Sequence, residues 1–185
     1  KAWWSNAQRT WLLHNRFLGQ RLVIMGNGAS LNQMDLSVFA SEWVFGLNRC
    51  YLLYEKISWR PAFFTAVDPR VIDHYAREFI ALPQREAKTL FFFPWECARL
   101  RGFADAPNTV WFRERPICAG EPGRGYFSLD PLLGLRTPNT VAITALQWGV
   151  YMGFNPIYLI GCDTRYSVPE SALRSGQSRD PGTGE

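Results

Sequence analysis

The sequence predicts an α/β fold, a doubly wound and mostly parallel sheet with helices on both faces, in a single domain over 1–185. Three observations carry this expectation. Short continuous apolar runs, too short for helices and suited to strands buried on both faces, recur along the chain. Segments with helical spacing lie between them, and such alternation favours parallel strands joined by crossovers. Several of the runs end in polar residues, at the turn 26–30 and at Asn48, Asp68 and Asp163. Open parallel sheets bind ligands in the crevice above the strands' carboxyl ends, so these four ends predict one shared pocket.

Taken in order, 1–19 places Trp4, Ala7, Trp11 and Leu12 at roughly helical spacing, which reads as a packing stripe of an N-terminal helix that Gly19 stops. The run LVIM over 22–25 is the first strand, and it breaks into Gly26-Asn27-Gly28-Ala29-Ser30. Two glycines there allow a tight turn and let a ligand approach bare backbone. Ser30 is spaced to cap a following helical turn, with Gln33 completing a capping box. A strand, a glycine turn and a helix start make an anion or nucleotide site, because the unpaired amides of the first turn point outward. The motif is not the dinucleotide fingerprint: Leu31 stands where the third glycine belongs, and Asn48 occupies the place of the acidic residue about twenty positions on. No Gly-Lys-Ser/Thr follows, which excludes a P-loop.

Residues 35–40 read as a short helix and 43–47 as a second strand ending at Asn48. The Asn48 amide both donates and accepts, which suits a base edge or a ribose; capping the next helix, YLLYEK, is the equally weighted alternative. A third strand over 62–67 ends at Asp68-Pro69, and 71–82 has the spacing of a covering helix that puts His74 on its surface or in packing. Strands follow at 89–94 and 109–112, then a long Gly- and Pro-rich loop or insertion over 113–135. Residues 137–140 form a helix-start cluster, Val141, Ala145, Trp148 and Met152 run down one helix face, and Gly153 ends it. A final buried strand over 156–161 ends at Cys162-Asp163, and 167–185 reads as a flexible lid or tail.

Hydrophobic residues make up 47% of the 185-residue chain and charged residues 19%, a globular balance. The formal charge of +4 suits anionic ligands, but it is dispersed without a Lys/Arg run, so nucleic acid is not an expected partner. Cys50, Cys97, Cys118 and Cys162 lack metal-ligand spacing or a disulfide pattern, which points to a reducing cytoplasm and to no metal. No apolar run is long enough for a membrane span and no signal-peptide pattern opens the chain. Peripheral membrane contact and oligomerisation stay open.

GNGASL after a strand, FGLNR at the next strand end, AVD at the third and NTVAITALQWGVYMGFNPIYLIGCD near the end resemble the 6-hydroxymethylpterin diphosphokinase-like domain family. The same arrangement is similar to bacterial sialyltransferases that use CMP-sialic acid and have a Rossmann-like fold opening on GNGPSL. That resemblance implies nucleotide contacts from Gly26, Asn27, Gly28 and Asn48, and donor contacts from Arg136, Asn139 and Thr140. Asp163, Arg165 and Tyr166 then fall at the catalytic end of the site. The chain departs from the pattern in having Ala29 for proline and Thr164-Arg165-Tyr166 after Asp163, and no histidine follows His74 to act as the base that the sialyltransferases carry farther on.

The resulting expectation is a glycosyltransferase for a bacterial surface polysaccharide, with a CMP-linked acidic sugar as substrate, a glycan acceptor and no permanently bound cofactor. Its chemistry is displacement at the anomeric carbon with a base at the acceptor hydroxyl. The family name implies instead pyrophosphoryl transfer from ATP, with magnesium between Asp68 and Asp163. A third reading is a non-catalytic nucleotide-binding module.

Overall fold

The computed structural model describes residues 2–97, 106–115, 127–137 and 140–163. Six strands form one parallel sheet: β1 (Leu22–Met25), β2 (Trp43–Leu47), β3 (Phe63–Thr65), β4 (Leu90–Pro94), β5 (Thr109–Phe112) and β8 (Ile157–Ile160), in the order β5-β4-β3-β2-β1-β8. A two-stranded parallel ribbon, β6 (Glu114–Arg115) with β7 (Leu135–Arg136), continues beyond β5. The segment expected as loop over 113–135 thus contributes to regular structure at both its ends.

Alternation along the strands divides the core into two layers. Leu22, Ile24, Phe45, Phe92, Val110 and Phe112 face helix α4 (Val141–Tyr151), which brings Ala145, Trp148 and Tyr151. Val23, Met25, Val44, Phe64, Phe91 and Phe93 face the other side, where α2 (Pro69–His74) and α3 (Ala76–Arg85) bring Ile72, Phe79 and Leu82. Helices therefore cover both faces of the central strands, which are largely apolar because neither of their faces meets water.

Several local expectations change. The covering helix over 71–82 is two helices that break at Tyr75, whose ring lies 4.0 Å from the Arg49 guanidinium. The short helices after β1 and β2 are 3-10 turns, Ala29–Gln33, Leu36–Phe39 and Cys50–Glu55. Strand β8, expected to be buried, is the sheet's edge, with Tyr158 and Leu159 each 49% exposed; an apolar run reports strand propensity, not whether a neighbour covers it.

The N-terminal helix α1 (Ala2–Leu13) packs through a different face from the one its apolar stripe indicated. Trp11 is 66% exposed and Leu12 58%, whereas Asn6, Thr10 and Leu13 are buried. The reason is the partner. Helix α1 covers the outer edge of β5, where backbone groups need hydrogen bonds rather than apolar area. Asn6 Nδ2 donates to the Trp111 carbonyl at 2.7 Å and Asn6 Oδ1 accepts from the Trp111 amide at 2.7 Å. Arg9 donates to the Thr109 carbonyl at 2.8 Å.

Candidate functional site

Because all six strands are parallel, the residues after each of them share one edge of the sheet. The chain leaves β1 toward β2 and returns from α4 to β8 on the other flank of β1, on the opposite face. The switch point of the topology is therefore the pair β1 and β8, whose carboxyl ends carry the glycine turn and Asp163.

The two ends are knitted together. Gly26 donates its amide to the Ile160 carbonyl at 2.9 Å and Gly28 to the Gly161 carbonyl at 2.8 Å. Asp163 accepts from the Ser30 amide at 2.9 Å and from the Ser30 hydroxyl at 2.5 Å. Those hydrogen bonds to the ionised form hold the Asp163 carboxyl below the usual carboxylate range. The glycines serve this contact: a Cβ on Gly26 would strike the Gly161 carbonyl, and one on Gly28 would strike the Asp163 carboxyl.

Two expectations about the turn are corrected here. Ser30 is not the cap of the following turn, since Gly28 holds the N-cap position of Ala29–Gln33 with no side-chain cap bond. The anion at the start of that turn is the protein's own Asp163, and it occupies the Ser30 amide. Among the described residues, no backbone carbonyl accepts from the Asn27 and Ala29 amides.

Asn48 sits one strand away, in the left-handed region at φ 47, with its amide donating to the Thr65 carbonyl at 2.9 Å. Its side chain caps nothing: Arg49 is the N-cap residue of Cys50–Glu55 and makes no side-chain cap bond. Asn48 Oδ1 is buried and has no hydrogen-bond partner among the described residues. A buried amide oxygen of this kind costs free energy unless something donates to it.

Asp68, beyond β3, is exposed and accepts from the Arg70 amide at 2.8 Å, capping α2 just ahead of Pro69. Strands β3 and β8 are three steps apart in the sheet, roughly 14 Å at the usual strand spacing. Asp68 and Asp163 therefore do not fit a shared magnesium ion, and among the described residues no group of three or more His, Cys, Asp or Glu could hold a metal.

Arg136 and Thr140 bracket the start of α4. The helix leads into β8 and so runs antiparallel to the strands, which brings its N-terminus to the carboxyl edge. Thr140 is the N-cap residue but makes no side-chain cap bond. The Arg136 backbone is fixed by fully buried Gln147, whose Oε1 accepts from the Arg136 and Ser128 amides at 3.0 and 2.6 Å while Nε2 donates to the Arg136 and Ile143 carbonyls at 2.6 and 3.1 Å. Asn139, Arg165 and Tyr166 lie outside the described residues, as does the segment 167–185.

At the other end of the edge the structure sets Asp68 near two acidic groups that the sequence did not single out, Glu96 and Glu114. Glu114 follows β5, Glu96 follows β4 and Asp68 follows β3. Burial first, then Glu96 and more weakly Asp68, push the Glu114 carboxyl up to about 7, against a hydrogen bond from the Thr137 side chain that lowers it. Burial together with the same three carboxylates pushes the Cys97 thiol up to about 12, so it stays protonated. The only sequence signal for Glu114 is its place two residues beyond an apolar run, hidden by reading 113–135 as loop.

The fold is similar to that of the solved structure of the MAf glycosyltransferase from Magnetospirillum magneticum AMB-1, with a TM-score of 0.53 and 17% identity. The fold is one that a glycosyltransferase uses. The match covers 90% of this chain but 28% of that protein. No family model matches the sequence, so the resemblance to the diphosphokinase-like family has no family match behind it, and no curated protein matches it either.

Proposed function

We propose that this chain forms the donor-binding region of a glycosyltransferase that uses a nucleotide-activated sugar, a CMP-linked acidic sugar, to build a bacterial surface polysaccharide. The observation that carries the reading is Asn48 Oδ1, a buried acceptor without a donor among the described residues, beside the topological switch point. The exocyclic amino group of a cytosine is a donor that would satisfy it. The ionised carboxylate of Asp163 suits ribose hydroxyls better than a phosphate, which would meet a like charge there. The similarity in fold to a glycosyltransferase supports the same class of chemistry.

In this mechanism an acceptor hydroxyl displaces the nucleotide from the anomeric carbon, and the leaving phosphate needs donors or positive charge. Arg136 and the N-terminus of α4 at Thr140 supply them from one side, because they lie at the carboxyl edge. Arg165 and Tyr166, close behind Asp163 in sequence, are the proposed donors from the other.

The experiment is a thermal-shift series with CMP, CDP, UDP and ATP, each with and without magnesium, on the wild type and Asn48→Gly. Glycine takes the φ of 47 without strain, so the variant keeps the local backbone. Stabilisation by CMP without metal, lost in Asn48→Gly, is the expected result. Stabilisation by ATP alone, and only with magnesium, would overturn the reading in favour of pyrophosphoryl transfer.

A further inference from the structure

The loop that leads into β7 turns its leucines outward. Within 127–133, Leu129 and Leu133 are 69% and 67% exposed, and Phe127 and Leu132 are exposed as well. Apolar residues scattered singly over a surface are ordinary, but four on one turn form a patch of the kind that marks an interaction site. The turn itself is fixed. Asp130 Oδ1 accepts from the Leu132 amide at 2.9 Å, the Asp130 and Pro131 carbonyls accept from the Leu133 and Gly134 amides at 3.2 and 3.1 Å, and Gln147 holds the Ser128 amide at 2.6 Å. Gly134 takes φ 101, which a leucine would resist. This backbone buries Pro131 and Leu135 and leaves Leu132 and Leu133 between them outside.

Arginines stand beside this tip. In the ribbon Glu114 pairs with Leu135 and Arg115 with Arg136. Leu135 faces the core layer under α4, so Glu114 turns the same way, and Arg115 and Arg136 lie on the opposite, outer face. Arg113 belongs to that outer face by the same alternation, and Arg113 and Arg115 are both exposed. The Arg115 side chain lies along Gly134, where a Cβ would come within 2.8 Å of Arg115 Cγ. Leu133 is the next residue along from Gly134, which makes the Arg115 side chain a neighbour of the leucine tip. The loop's own acid, Asp130, has its carboxylate engaged in the turn.

We propose that the turn 127–134 and the outer face of the ribbon form a docking surface for an anionic phospholipid bilayer, with the leucines inserted and Arg113 and Arg115 against the lipid phosphates. Charge complementarity selects this occupant: apolar side chains beside arginines match the two layers of a membrane surface, acyl chains and negative headgroups. Shape agrees with it. Side chains as open as Leu129 and Leu133 sit on a convex tip and not in a groove. Four of them do not make up the roughly 800 Å² per partner that a stable protein interface takes. The contact is independent of the glycosyl-transfer reading and stands or falls without it.

The test is cosedimentation of the full chain with sucrose-loaded vesicles, of phosphatidylcholine alone or mixed with phosphatidylglycerol, at low and high salt. The proteins compared are the wild type, Leu132→Ser/Leu133→Ser and Arg113→Gln/Arg115→Gln, with Leu129→Ser repeating the leucine test at a separate position of the turn. The wild type should bind the mixed vesicles and not phosphatidylcholine alone, and the binding should weaken as salt rises. The arginine pair should lower the partition coefficient by about 10- to 30-fold. The leucine variants should lower it by at least about tenfold, with urea midpoints unchanged because these side chains lie outside the core. No binding to the mixed vesicles by the wild type, or binding undiminished in the arginine pair, overturns the proposal. Binding undiminished in the leucine variants also overturns it, by reducing the contact to adsorption of a cationic protein. Self-association without lipid or vesicle binding, seen by sedimentation velocity and lost in Leu132→Ser/Leu133→Ser, would overturn it in favour of a second copy of the chain.

Discussion

Asp163 closes on Ser30 through two hydrogen bonds, from the amide at 2.9 Å and the hydroxyl at 2.5 Å, and so joins the turns after β8 and β1 into one structure. The two residues are 133 apart in sequence, and their contact converts a glycine turn into a fixed wall of the crevice. The anion that such a turn attracts is already part of the chain.

The pH dependence of that contact is predictable in sign. The folded state holds the Asp163 carboxyl below its ordinary range, so its contribution to stability is present above the unfolded pKa and is lost as pH falls through the folded one. Asp163→Asn should therefore be less stable than the wild type at neutral pH. The gap should narrow as pH falls below about 3.9, measured as urea midpoints across a pH series.

Gly28→Ala places a methyl against the Asp163 carboxyl and 2.7 Å from the Gly161 carbonyl. One of these neighbours is backbone and has little room to move. The expected cost is about 1–3 kcal/mol in chemical denaturation. If the glycine served ligand approach alone, the variant would keep wild-type stability.

Gln147→Leu removes a side chain that satisfies four backbone groups, on Ser128, Arg136 and Ile143, from a fully buried position. Leucine fills the space but accepts and donates nothing. A loss on the order of 3 kcal/mol is expected in urea unfolding. Limited proteolysis should also cut near Arg136 sooner, since its backbone is released.

Glu114 acts on stability in the opposite sense to Asp163. Its carboxyl rises from the ordinary 4.5 to about 7, so folding favours the protonated form, and that contribution fades as pH rises through about 7. Glu114→Gln should flatten the decline between those pH values and be the more stable protein above them. The gain should be on the order of 1 to 2 kcal/mol, solvent screening reducing the effect at a group this exposed.

The sheet was legible in the sequence because central parallel strands bury both faces, and runs such as LVIM and FFFP can do little else. The polar strand ends at Asn48, Asp68 and Asp163 were legible for the same reason: each interrupts such a run. What each polar side chain does was not, since Asp68 as a helix cap and Asp163 as the partner of Ser30 depend on neighbours far along the chain. Helix α1 was misread on its packing face because periodicity counts apolar residues. Its buried stripe is chosen instead for the hydrogen bonds of Asn6, and Arg9 adds another from its side. Glu114 escaped notice because a strand of two residues leaves no pattern.

The side chains of Asn6 and Arg9 occupy the backbone positions on β5 that a neighbouring strand would use. The opposite border, β8, carries no such cover among the described residues. Among the described residues the two borders of the sheet therefore differ: α1 takes up the backbone groups of β5, and no described strand pairs with β8 on the side away from β1, beside Tyr158 and Leu159.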